Sequence, residues 1–175
     1  MLNTVNLNTN FYNSFSSNWQ DKIQKVFWRV GGNSSSYIQS GIPSTTYQYE
    51  VKNPSATNTT DNKTTYEANI GLMYIFDYDY AASSSAWSLY NYNSDTTKSY
   101  VSAISINWLF MGPEEHTITR HTNRRNSQAR IYSNGAIYNG YSSNKHTVRP
   151  CFYLNKNVMY EMGDGSFDNP FRITL

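Results

Sequence analysis

The stretch "ARIYSNGAIYNGY" (129–141) limits the fold of this chain more than any other. Asn134-Gly135 lies between two runs of alternating apolar and polar residues. Asn and Gly enter the left-handed backbone region at low cost, so the pair reads as the turn of a hairpin. Strand signals continue to the C-terminus. "TVRPCFYL" and "VMYEM" are separated by the turn "NKN", "GDGSFDNP" is a long turn, and "FRITL" is the last strand. Pro150 lacks an amide hydrogen and belongs at a strand start or bulge. Arg149 beside it can reach inward and tie loop carbonyls together with its fork of donors. Both a structural and a ligand-binding role are open to this arginine.

The front of the chain reads differently. Phe11, Phe15, Trp19, Ile23 and Phe27 recur every four residues, with Val26 filling in, so the spacing predicts one amphipathic helix ended by Gly31 and Gly32. The Ser-, Thr- and Asn-rich segment that follows reads as a weak hairpin, "TTYQYEV" then "KTTYEA", around a loop. Its Asn-X-Ser/Thr matches at Asn33, Asn58 and Asn62 would carry glycans only in a eukaryotic secreted protein. Ile70–Ile75 reads as a short buried strand, and Asp77 as the cap of a short second helix. "INWLFMG" reads as a buried aromatic strand stopped by Gly112 and Pro113. No repeat or composition break divides residues 1–175, so the expectation is one α+β domain with antiparallel sheets.

Composition narrows the function classes. Charged residues make up 15% and the net charge is +2, too mild for nucleic acid or an anionic membrane as main partner. There are 16 Tyr, 22 Asn, 22 Ser and 16 Thr, a palette suited to faces that join aromatic anchors to adaptable hydrogen bonds. From composition alone, an ordinary secreted β-rich protein accounts for it as well or better. The lone Cys151 cannot form an internal disulfide or a multi-thiolate zinc site, and its apolar neighbours make it a packing group. His116 and His121 are five apart, a spacing that suits no metal site, so no metal is expected. No run of 18 apolar residues is present, and the opening "MLNTVNLNTN" lacks the charged and apolar regions of a signal peptide. The expectation is a piece of a longer extracellular protein.

In order, "FYNSFSSNWQDKIQKVFWRVGG", "IGLMYIFDYDYAA", "AW", "NWLF", "SNGAIYNGY", "VRPCFYL" and "GDGSFDNPFRI" resemble a bacterial surface domain common in Firmicutes, on cell-wall or prepilin-type secreted proteins. They are similar to the C-type-lectin-like fold shared by formylglycine-generating enzymes and the variable proteins of diversity-generating retroelements. The resemblance runs from Phe11 to Ile173 and is weakest between Asn33 and Asn69. It implies that Trp108 is a core anchor, that Gly135 turns the hairpin, and that Arg149-Pro150 close the lectin-like loop region. It also implies that the last strand returns to the early part of the domain. It does not bring enzyme activity: formylglycine-generating enzymes use paired cysteines and copper, and this chain has one cysteine. The Glu-Pro-Asn loop of calcium-dependent lectins is absent where expected, and Asp164 and Asp168 read as turn stabilisers. No cofactor is expected.

All three histidines and five of the seven arginines fall between Gly112 and Arg149. Three readings compete there. The stretch is a solvated loop; or its basic cluster holds an anionic ligand such as a sulfated or sialylated glycan; or it has been diversified, since adenine-directed mutagenesis yields the Asn, Ser, Tyr, His, Arg, Asp, Gly and Thr that abound in it. The candidate ligand-binding residues are His116, Arg120, His121, Asn123, Arg124, Arg125, Tyr132, Tyr138, Asn139, Tyr141, Asn144 and His146. Most are expected to be exposed on one face, because polar side chains lose solvation on burial. The functional expectation is a non-enzymatic adhesin or receptor-binding module at the bacterial cell surface. It would take a protein or glycan ligand, with no nucleic acid and no membrane contact of its own. The alternative is a structural or subunit-contact domain of a pilus or fibre.

Overall fold

The computed structural model describes residues 2–40, 42–54, 64–84, 104–122 and 124–174. It is mixed α+β, with several antiparallel strand pairs and few, short helices. Asn58, Asn62, the Ala86-Trp87 pair and Asn123 lie outside the described residues. None of the described helices is long and apolar enough to cross a membrane. The chain falls into two compact units, one of Met1–Phe27, Glu67–Gly71 and Pro150–Leu175, the other of Trp28–Tyr66 and Leu72–Arg149.

The first unit holds a π-helix, Leu2–Phe11, a six-residue helix α1 (Ser17–Lys22), and strand β1 (Ile23–Gln24). The expected single helix is therefore broken at Ile23, and Phe27 lies 68% exposed in strand β2 (Val26–Arg29), where Trp28 is buried instead. A six-residue helix cannot repay its own nucleation, and β-branched and aromatic residues fit a pleated surface. A partner strand decides the matter. Numbering strands in chain order, β11 (Tyr153–Leu154) pairs antiparallel with β1, placing Ile23 opposite Leu154. Asn8 then mimics a strand edge for Ile70: its Nδ2 donates to the Ile70 carbonyl at 2.8 Å and its Oδ1 accepts the Ile70 N–H at 2.8 Å. Leu7, Ile23, Ala68 and Ile70 are the buried apolar residues of this unit.

Among the described residues the last strand pairs with its own neighbour in the tail and not with a strand of the early chain. β13 (Arg172–Ile173) pairs with β12 (Tyr160–Met162) through the turn "GDGSFDNP". Gly163 and Gly165 take φ of 106° and 83°, and the Asp164 Oδ1 accepts the Ser166 N–H at 2.9 Å. Local turn chemistry captures the strand before a distant edge can. Cys151, on the two-residue strand β10 (Pro150–Cys151), is half-buried.

The second unit is built on a five-stranded sheet. β6 (Glu115–His121) is flanked on one side by the hairpin β7 (Ser127–Ile131) and β8 (Ile137–Tyr141). Its other edge takes β3 (Gly32–Asn33) at one end and β9 (Thr147–Val148) at the other, both parallel to it. The first half of the expected weak hairpin is helical: α3 (Pro43–Tyr47) runs into a π-helical turn, Gln48–Lys52. Pro43 suits a first helical position, and buried Pro43, Thr46 and Glu50 recur at helical spacing. Helix α2 (Ser35–Ser40) precedes it, and among the described residues of the second half "TYEA" forms a strand, β4 (Thr65–Ala68). Helix α4 (Ile75–Tyr80) starts where Asp77 Oδ2 accepts the Tyr74 N–H at 3.2 Å and Thr119 Oγ1 accepts the Ile75 N–H at 3.0 Å. Tyr78, fully buried, donates its hydroxyl to the Gly135 carbonyl at 2.9 Å and so anchors the hairpin turn.

Trp108 is not a core anchor: it is 78% exposed, while Phe110 is buried. The cause is Asn107. Its Nδ2 donates to the Tyr78 carbonyl at 2.8 Å and its Oδ1 accepts the Leu109 N–H at 3.0 Å, with Phe110 N–H closing on the Asn107 carbonyl at 3.1 Å. A turn replaces the expected strand and sends side chains 108 and 110 to opposite sides.

Asp79 is buried with neither carboxylate oxygen hydrogen-bonded among the described residues, and burial pushes its pKa up to about 8. The folded state holds it protonated while the unfolded chain ionises it near 3.8. Stability is therefore full below that value and falls as pH rises toward 8, by about 1.4 kcal/mol per pH unit. Asn cannot ionise, so Asp79→Asn should raise the melting temperature more at pH 7.5 than at pH 4.5. A pH-independent difference in thermal melts would contradict this account of Asp79.

Candidate ligand-binding cleft

The β7–β8 hairpin sets the site. Its register runs from Ser127 opposite Tyr141 to Ile131 opposite Ile137. Beyond the ladder, the Tyr132 N–H donates to the Ala136 carbonyl at 2.8 Å and Gly135 N–H to the Tyr132 carbonyl at 2.9 Å. Gly135 takes φ 84° and Asn134 Oδ1 accepts the Ala136 N–H at 3.0 Å. The loop is a three-residue turn with glycine in the left-handed position, one of the common hairpin closures. Alternation does the rest: Ala129, Ile131 and Ile137 go to the core, and Arg130, Tyr132, Tyr138 and Gly140 share the opposite face.

Arg130 is the fixed centre of that face, 8% exposed. Its Nη1 lies 3.2 Å from Glu114 Oε2 and donates to His146 Nε2, and its Nη2 donates to the Tyr132 hydroxyl at 2.7 Å. The guanidinium carbon sits 4.5 Å from the Tyr132 ring centre and 5.7 Å from that of Tyr138. The two rings meet edge to face at 5.1 Å. The stem crosses Gly140, where a Cβ would come within 2.6 Å of Arg130 Cδ and Nε. Glycine in a strand interior often marks such a close approach.

His146 accepts from Arg130 through Nε2 and faces Glu114 Oε2 at 3.2 Å through Nδ1. That arrangement requires the neutral ring with its proton on Nδ1. Burial and then the Arg130 charge hold its pKa below the ordinary histidine value, against the pull of Glu114. His116 packs against it at 4.8 Å and donates Nε2 to the Asn144 carbonyl at 2.8 Å.

Beside this network lies a cleft of about 320 Å³. Six of the twelve sequence-selected residues line it: Arg124, Tyr132, Tyr138, Asn139, Tyr141 and Asn144. Ser127, Arg130 and Gly140 complete the lining and were not selected. The "NG" of "YNGY" was the available signal for Gly140. Arg130 carried none, since its burial depends on Glu114 and His146. The remaining residues disperse. His116 and His146 are absent from the lining and belong to the Arg130 network. Arg120 is half-buried opposite Gln128, and His121 is buried at the far end of β6, bonded to Ser35 Oγ. Arg125 is exposed outside the lining, and Asn123 lies outside the described residues.

One expectation needs correction. Only Arg124, Arg125, Tyr141 and Asn144 of the selected set are exposed; His116 and His121 are buried and the other described members half-buried. Mutual pairing offsets the solvation that burial removes, which a residue-by-residue estimate ignores. Arg149, outside the cleft lining, reaches inward to a carbonyl as its place beside Pro150 suggested: it is half-buried, and its Nη2 donates to the Leu109 carbonyl at 2.6 Å and to Glu115 Oε2 at 2.8 Å. Burial raises the Glu115 pKa and Arg149 opposes that shift. Among the described residues no group of three or more His, Cys, Asp or Glu is placed to hold a metal ion.

Gly140→Ala should force Arg130 from its stack. Overpacking of this kind costs about 1–3 kcal/mol, measurable by urea denaturation. In an Arg130→Ala background the same change should cost clearly less, because the clash is gone. Equal costs in both backgrounds would mean that Arg130 does not lie across Gly140.

No family model, curated protein or solved structure matches this chain. The reading of its function rests on its own residues.

Proposed function

We propose that this chain is an extracellular ligand-binding module of a bacterial surface protein, with a C-type-lectin-like fold and the cleft beside β7–β8 as its contact site. One observation carries the reading: a concave site of about 320 Å³ whose lining is built of Tyr, Asn, Ser and Arg around one fixed guanidinium. Its size is at the lower end of small-ligand pockets, and its side chains are those of adaptable recognition surfaces. The anchoring of the turn by Tyr78 and of the face by Arg130 supports a preorganised site, which limits the entropy lost on binding. The role is recognition; no catalytic step is assigned. Diversification by a retroelement would exchange side chains on a fixed hairpin, and a reverse transcriptase gene beside a near-repeat of the Trp108 to Arg149 coding stretch would establish it.

A second reading, a subunit-contact domain of a pilus or fibre, is favoured by the β12–β13 ribbon. Met159, Tyr160, Met162, Phe167 and Phe171 are all exposed there, Phe167 at 99%. Apolar groups left in water at this density mark contact surfaces.

The test uses labelled protein against immobilised glycans and peptides. Arg124→Ser, Tyr141→Ser and Asn144→Ala, combined, should abolish or redirect binding. Each is an exposed position, where substitution usually changes stability by about 0.5 kcal/mol or less, so the melting temperature should hardly move. An identical binding profile for parent and triple variant would sink the reading. Concentration-dependent self-association with no cleft-dependent binder would favour the fibre subunit.

A further inference from the structure

The charges around the cleft are unbalanced in one direction. Its lining contains two guanidiniums and no carboxylate. Arg130 is already neutralised from behind by Glu114, and His146 is held neutral between them. Arg124 is different: it is exposed, and no acidic side chain pairs with it among the described residues. One net positive charge therefore faces the space. The Tyr132 hydroxyl accepts from Arg130, which leaves its own hydrogen to donate.

A ligand that completes this set carries one anionic group and several neutral hydroxyls. Aliphatic side chains are absent from the lining, so an apolar peptide side chain would find no dry pocket there. Forked guanidinium donors suit planar or tetrahedral oxyanions, and an exposed, unpaired arginine gives up no existing partner to take one. We propose that the cleft binds an anionic saccharide, with its carboxylate or sulfate ester on Arg124 and its ring hydroxyls on the Tyr132 and Tyr141 hydroxyls. The inference rests on the cleft being the binding site and adds the ligand's chemical class. A carboxylate and a sulfate ester each bring one negative charge shared over oxygens that a guanidinium can grip, and the experiment separates them.

The experiment is a chemical-shift titration of the full chain with glucuronate, glucose 6-sulfate, glucose, acetate and inorganic sulfate. Resonances of Tyr138–Tyr141 should move with at least one anionic sugar. Glucose should bind about tenfold or more weakly, as loss of one charge-assisted hydrogen bond implies. Raising the salt concentration should weaken the anionic sugar and leave glucose unaffected. Arg124→Gln should erase the preference for the anionic sugar, and Arg125→Gln, outside the cleft, should retain it. Whichever anionic sugar binds more tightly identifies carboxylate or sulfate as the group recognised.

Equal affinity for glucose would overturn the anionic half of the proposal. Acetate or sulfate binding as tightly as the sugars would overturn the saccharide half. Silence of the cleft resonances with both anionic sugars would overturn the whole. The fate of the binding-module reading is read separately in the immobilised-ligand screen. Cleft-dependent capture of neutral glycans or peptides would keep that reading while removing this one, and absence of any cleft-dependent binder would remove both.

Discussion

The Arg130 guanidinium is the interaction on which the candidate site depends. A buried arginine is costly unless its charge and its donors are met. Here Glu114 supplies the opposite charge, His146 and Tyr132 accept hydrogen bonds, and two tyrosine rings cover the flanks. Each partner comes from a different place: Glu114 immediately precedes β6, Tyr132 begins the hairpin loop, Tyr138 is on β8, and His146 precedes β9. One side chain thereby fixes the relative positions of four segments, and Gly140 supplies the space that makes it possible.

Polar ties of the same kind recur in this unit. Asn107 organises the turn that exposes Trp108, Tyr78 holds the hairpin loop, and Arg149 links the Leu109 carbonyl to Glu115. In a chain with 38% hydrophobic residues, apolar burial alone specifies position loosely. Directional hydrogen bonds between buried polar groups add specificity, because each forms only when its partner stands in one place. Asp79, buried with no hydrogen bond to its carboxylate among the described residues, departs from that pattern.

Side chains available for recognition follow from this division of labour. Residues consumed by the network, such as His116 and Arg130, are unavailable as free contacts. Residues at its border, Arg124, Tyr141 and Asn144, keep their polar groups toward solvent while the backbone beneath them is paired or tied into the turns that flank the hairpin. A rigid base with an adaptable rim is what a recognition surface requires, and a fully solvated loop would not provide it.

The hairpin at Asn134-Gly135, the short turns of the tail and the mixed α+β class could be read from sequence, because each rests on local backbone preference. The same locality misled where a partner was distant. The Phe11-to-Phe27 stripe has helical spacing, yet β11 offered Ile23 a strand ladder that a six-residue helix could not match. Trp108 looked like core until Asn107, bonded to Tyr78, turned the chain. The sequence by itself determined the turn positions, the alternation of β7 and β8, and the polar, weakly basic supply of side chains. Only the tertiary structure decided which of those side chains became network and which became surface. Whether a polar group can be buried depends on where its hydrogen-bond partner stands, and here that partner often lies tens of residues away in the chain, as Glu114 does from His146.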